Sequence, residues 1–174
     1  MALIKLLDGA MGSELIQRGE KLPPHIWSAA LNLTNPELVY QIHCDYVNAG
    51  AQFLTANTFR TTPRAYEKTG LSIKDAEEKA FFSLQSALNL AFRAAGENVK
   101  VLGSIAPLED CYKPQLFPEH DIAVKEYTQI GKWLLNEGVD IILIETMTNI
   151  AEAKACLESI SNLNIPILSD LNEH

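Results

Sequence analysis

The chain has 174 residues, 47% of them hydrophobic and 21% charged, which excludes a disordered tail, a collagen and a small disulfide scaffold and fits an ordinary globular domain. Its 14 basic and 22 acidic residues leave a formal charge of −8. No run of about five like charges makes a basic patch, so neither nucleic acid nor an anionic membrane is expected as a partner.

The opening, Met1 to Leu7, falls far short of the roughly 18 apolar residues of a membrane helix and lacks the apolar region of a signal peptide. Within it, Ile4 to Leu7 reads as a first short strand that ends abruptly at Asp8-Gly9. Thr34-Asn35-Pro36-Glu37 then supplies a capping residue and a proline at the first helical position, and Gly50 closes that helix. The second strand, Phe53-Leu54-Thr55-Ala56, ends at Asn57-Thr58. Asp75 to Ala95 has helical periodicity and stops at Gly96, and Val99 to Gly103 forms a third strand that stops at Ser104. Glu119 to Glu137, with Gly138 as its stop, is the next helix. Ile141 to Ile144 is a fourth strand ending at Glu145-Thr146. Asn149 to Ile160 is helical again, and Ile165 to Leu168 is a fifth strand ending at Ser169-Asp170.

Strand followed by helix, repeated, indicates parallel α/β units, and apolar runs without alternation suit strands buried on both faces. Two architectures compete. One is a doubly wound sheet with a crevice at a switch point; the other is a closed barrel whose polar residues gather at the carboxyl ends of many strands. Polar endings on every run favour the (β/α)8 TIM-barrel type, and Gly9-Ala10-Met11-Gly12 is not the GxGxxG of dinucleotide binders. A complete barrel takes about 250 residues. The expectation across residues 1–174 is therefore the first five β/α units of a barrel. Its first and fifth strands then have open edges that invite self-association.

Beyond these patterns, Leu6-Leu7-Asp8-Gly9-Ala10-Met11-Gly12-Ser13-Glu14-Leu15 resembles the opening of the homocysteine S-methyltransferase family. Further matches are Trp27 to Asn32, the helix from Pro36 to Gly50 with His43 and Asp45, Ala51 to Phe59, and Ile144-Glu145-Thr146-Met147-Thr148-Asn149 followed by Glu152-Ala153. The resemblance implies a (β/α)8 barrel that moves a methyl group to the sulfur of homocysteine, giving methionine. The donor would be S-methylmethionine, S-adenosylmethionine, betaine or methyltetrahydrofolate. A thiol is mostly protonated near neutral pH and is then a poor nucleophile. The family's answer is zinc held by three cysteines, which binds the sulfur as thiolate. Those cysteines lie in Gly-x-Asn-Cys and Gly-Gly-Cys-Cys-Gly turns on later strands, and neither motif occurs here. Zinc is expected for the family, but no ligand is assigned to this chain.

By the same resemblance Asp8 and Glu145 orient the amino acid, with Glu145 at the end of an apolar strand where a carboxylate needs a cationic partner. Gly9, Ala10 and Met11 offer backbone groups to the ends of the substrate, or simply make a tight strand-to-helix turn. Asn57, Thr58 and Ser104 are strand-end candidates that line the site or cap loops. Arg60 stands where some relatives place a residue facing metal or donor. Departure from the family pattern at Ile105 to Asp110 leaves the donor open.

His43 and Cys44 are adjacent on a helix, about 100° apart, and read as ordinary helix residues rather than joint ligands. The three cysteines, Cys44, Cys111 and Cys156, are too scattered for a disulfide framework, and their odd number leaves a free thiol, which points to a reducing, cytoplasmic compartment. His25 and His120 read as loop or cap residues, and His174 as the last residue. The rival reading is a truncated, non-catalytic barrel serving as an assembly or regulatory module.

Overall fold

A computed structural model describes residues 4–169, so Asp170 and His174 lie outside the described residues. Four parallel strands form one sheet: β1 (Phe53–Ala56), β2 (Lys100–Ile105), β3 (Ile141–Ile144) and β4 (Ile167–Ser169). They are hydrogen-bonded in the order β1-β2-β3-β4. Spatial order equals chain order, so every crossover steps one place in the same direction. A doubly wound sheet reverses direction at its switch point, and no reversal occurs among the described residues. The arrangement is that of a barrel wall.

The expected first strand is reduced to a bridge. Leu7 pairs parallel to Phe53, the Leu6 carbonyl accepts from the N–H groups of Gln52 and Phe53, and the Asp8 N–H donates to the Phe53 carbonyl at 3.0 Å. There the ladder stops, because the Asp8 side chain takes the next donor, the Thr55 N–H at 2.8 Å. Ser104, expected to end its strand, lies inside β2, which runs on to Ile105. The last strand begins at Ile167, one residue beyond Pro166, rather than at Ile165. Nor are all the strands buried on both faces: Phe53 and Thr55 of β1 are half-buried, and Leu168 of β4 is exposed.

Four helices make the crossovers: α3 (Pro36–Asn48), α5 (Ile73–Ala95), α6 (His120–Asn136) and α7 (Ile150–Ile160). Three shorter ones, α1 (Met11–Gln17), α2 (Leu31–Thr34) and α4 (Pro63–Glu67), sit in the strand-to-helix connections. The Ser72 hydroxyl accepts from the Asp75 N–H to start α5. The Asn149 side chain does the same for Ala151 and Glu152 at the head of α7. Pro36 opens α3 as its fixed φ favours, but Asn35 does not cap with its side chain, which instead donates to Glu20 at 2.7 Å.

Period-two alternation sends Leu54, Ala56, Val101, Ile105, Ile142 and Ile144 to the face covered by helices. There they pack on Leu84 and Leu88 of α5, Tyr127, Ile130 and Leu134 of α6, and Cys156 and Ile160 of α7. Gly103 shares this face, and a Cβ on it would stand 2.7 Å from the Leu134 side chain, so its missing side chain lets α6 lie close to the sheet. The same alternation sends Thr55, Ser104 and Leu143 to the opposite face, where the barrel interior would be.

Candidate functional site

At the carboxyl ends of the strands, on that inner face, lies a hollow of about 340 Å³. Its floor and walls include Asp8, the backbone turn through Gly9, Ala10 and Met11, Thr55, Asn57, Leu143 and Glu145, with Trp27 and Phe59 as aromatic sides. Two carboxylates thus share a small concave space with no lysine or arginine among its described lining residues.

Asp8 is held on one side by Thr55, whose N–H and hydroxyl each donate to it at 2.8 Å. Burial outweighs those hydrogen bonds and pushes its carboxyl up to about 6, with the negative charge of Glu145 adding to the rise. The two acids therefore sense each other. The Glu145 N–H extends the strand pairing by donating to the Ile105 carbonyl at 3.0 Å, and the Ser104 hydroxyl donates to the Glu145 carboxylate.

The turn after Asp8 is fitted against α3. A Cβ on Gly9 would come within 2.7 Å of the Tyr46 ring, whose hydroxyl donates to the Ala10 carbonyl at 3.4 Å. Only glycine lets the backbone approach this aromatic wall, so the turn and the helix fix each other.

The remaining candidates divide. Asn57 lines the hollow, yet its amide is spent inward: it donates to the Ser28 carbonyl at 2.9 Å and Asn32 Oδ1 at 2.8 Å, and accepts from the Ser28 hydroxyl at 2.6 Å. Thr58 is behind the wall, donating to the Ser104 carbonyl at 2.8 Å and accepting from the Ser104 N–H at 2.9 Å, which staples the loop after β1 onto β2. Ser104 touches the hollow only through Glu145. Arg60 is not among the lining residues; its guanidinium sits 5.4 Å from the Phe59 ring and donates to the Pro107 carbonyl at 3.4 Å.

One buried acid was not foreseen from sequence. Glu152, in the first turn of α7, accepts from the Leu108 N–H at 2.9 Å and the Tyr127 hydroxyl at 2.8 Å, tying the loop after β2 to α6 and α7. Burial, with Glu152 beside them, pushes both the Tyr127 hydroxyl and the Cys156 thiol up, so both stay protonated. Removing Glu152 strands two buried donors. Glu152→Ala is expected to cost about 2–4 kcal/mol, read as a lowered midpoint in urea unfolding with its slope unchanged.

The cysteines do not assemble a metal site. Cys44 lies on α3, Cys111 in the loop after β2 and Cys156 inside α7, and none lines the hollow. Among the described residues no group of three or more His, Cys, Asp or Glu side chains is placed to hold a metal ion. The described residues therefore do not fit a three-thiolate zinc site. Nor is any helix of the described residues long and apolar enough to cross a membrane.

Comparison with known proteins gives this hollow its context. The family model for homocysteine S-methyltransferase matches residues 5–172. The chain belongs to the homocysteine S-methyltransferase family. It is 32% identical over 170 residues to homocysteine S-methyltransferase of Escherichia coli K12, covering 89% of this chain and 54% of that protein. Homocysteine S-methyltransferase YbgG of Bacillus subtilis is 27% identical over 164 residues, covering 86% of this chain and 52% of that protein. Among solved structures, the homocysteine methyltransferase MmuM of E. coli in its metallated form matches with a TM-score of 0.78 and 29% identity, over 91% of this chain and 59% of that one. Its oxidized form matches with a TM-score of 0.80 and 30% identity, over 94% and 60%. The chain thus spans about half the length of the relatives it matches, and within this family it is an amino-terminal portion with the fold of a partial barrel.

Proposed function

We propose that this chain forms the amino-acid-gripping half of a homocysteine S-methyltransferase site. Asp8 and Glu145 receive the ammonium of homocysteine, while the N–H groups of the Gly9–Met11 turn face its carboxylate. The observation behind this reading is that two carboxylates from sequence-distant strand ends, Asp8 and Glu145, line one small hollow. Two neighbouring acids in one hollow favour a cationic ligand group, and the charge of that group offsets the burial and the repulsion that hold Asp8 near 6.

In this reading Thr55 fixes the Asp8 carboxylate and Ser104 fixes Glu145, so the ammonium meets groups already oriented, and little ordering is left for the ligand to impose. Trp27 and Phe59 form apolar sides of the hollow. The ligand's thiol then points out of the grip toward the part of the site where family members bind metal. Thiolate formation is outside what these residues can do, and no step through zinc is assigned to them. The donor, among S-methylmethionine, S-adenosylmethionine, betaine and methyltetrahydrofolate, is likewise outside this hollow. The compartment proposed is the cytoplasm.

Calorimetric titration with homocysteine, run beside an assay of homocysteine-dependent methyl transfer from each donor with zinc added, tests the proposal. Saturable binding without turnover is the expected result. Robust turnover by the 174-residue chain would refute the division of the site, and absence of binding would refute the grip itself. The exposed Leu6, Leu7 and Leu168 at the two outer strands favour self-association as a secondary property.

A further inference from the structure

We infer that Thr146 is a positioning residue whose strained, left-handed backbone aims the Glu145 carboxylate into the hollow. The inference rests on the proposed role of Glu145. Among the described residues only two non-glycine residues have positive φ, Trp27 at 44° and Thr146 at 60°. Trp27 lines the hollow and Thr146 directly follows Glu145, which also lines it. A β-branched residue in this region is an outlier, because its branched Cβ crowds the neighbouring backbone.

Such a conformation persists only where the surroundings dictate it. On one side, the Glu145 N–H is fixed to the Ile105 carbonyl at 3.0 Å, and its carboxylate accepts from the Ser104 hydroxyl. On the other side, the Thr148 hydroxyl donates to the Cys111 carbonyl at 2.7 Å and the Asn149 amide to the Pro114 carbonyl at 3.0 Å. Asn149 also caps α7, whose Glu152 is bound to the Leu108 N–H. The chain must turn between these two clamped stretches within residues 146–147. A left-handed residue makes that turn at once and leaves Glu145 on the alternation that already brings Leu143 to the hollow.

A substitution pair separates strain from side-chain contact. Thr146→Ala removes the side chain but keeps a Cβ at positive φ, whereas Thr146→Gly removes both. At an ordinary backbone position alanine is the more stable of the two; at a strained positive φ the order inverts. Thr146→Gly is therefore expected to melt about 2–4 °C above Thr146→Ala in a chain of this size. The site should respond the opposite way. Thr146→Gly frees Glu145, so the small part of the Asp8 rise that Glu145 contributes is lost from the NMR titration, and homocysteine binds about 3- to 10-fold more weakly than to Thr146→Ala. A residue serving the fold alone would move stability and site together.

Thr146→Ala melting at or above Thr146→Gly overturns the inference, and so does a Thr146→Gly variant whose Asp8 titration and affinity match those of Thr146→Ala. Failure of the parent chain to bind homocysteine would instead refute the proposed grip. The melting order and the Asp8 titration would still decide the role of Thr146.

Discussion

Replacing Glu145 by glutamine lowers the affinity of the chain for homocysteine by about 30- to 150-fold, because a charge-assisted contact to the ammonium in a partly enclosed hollow contributes roughly 2–3 kcal/mol. Asp8→Asn has an effect of the same order. Shape is kept in both variants, so the loss isolates charge, and cooperative thermal melting retained in each would show that the fold survives. The pair is non-additive, since both carboxylates address one ammonium: the double variant loses less than the product of the single losses. Affinity also depends on pH. Asp8 is raised to about 6, so below that value the ligand must displace a proton, and binding weakens toward about tenfold per pH unit. Asp8→Asn abolishes this dependence. Equal affinity in all variants, as measured by calorimetry, would place the amino acid elsewhere.

The second large effect concerns stability against pH, where two groups oppose each other. His43 is fully buried in α3, neither ring nitrogen has a hydrogen-bond partner, and burial pushes it down to about 4. Below its unfolded value near 6.5 the unfolded chain takes up a proton that the folded chain refuses. Stability from this group is therefore complete above about 6.5 and is lost as pH falls toward 4, by about 3 kcal/mol in all. Asp8 has the reverse sign. Its folded value near 6 exceeds the unfolded 3.8, so its contribution is complete below about 3.8 and is lost as pH rises through 6, by about 2–3 kcal/mol. Between pH 4 and 6 the two nearly cancel. Urea unfolding at successive pH values should show Asp8→Asn gaining stability with rising pH across that interval. His43→Leu should lose it. Parallel profiles for the two variants would contradict these assignments.

Much of this was legible in the sequence. Phe53 to Ala56 and Ile141 to Ile144 were bounded correctly as strands, because apolar runs closed by polar residues have few other uses. Asp8, Gly9, Ala10, Met11, Asn57 and Glu145 reach one hollow because strand ends in a barrel wall share a rim. Local competition was not legible. The Asp8 side chain replaces a backbone acceptor and cuts the first strand to a bridge, and Ser104 continues its strand because its backbone stays in register with Leu143 of β3. Helices α1, α2 and α4 are too short to show a period. Glu152 was legible only as part of a family match, since nothing in one sequence says that Tyr127 and the Leu108 N–H wait beneath it. Trp27 gave no sign of its positive φ.

The central claim is that one amino acid is held between two distant strand ends. A homocysteine titration of the isotopically labelled chain followed by amide NMR tests it most directly. The expected result is saturable shifts concentrated at residues 8–11, Thr55 and Glu145, with the rest of the sheet unmoved. Shifts confined to the outer groove of α5 around Phe82 and Arg93, or none at all, would contradict it.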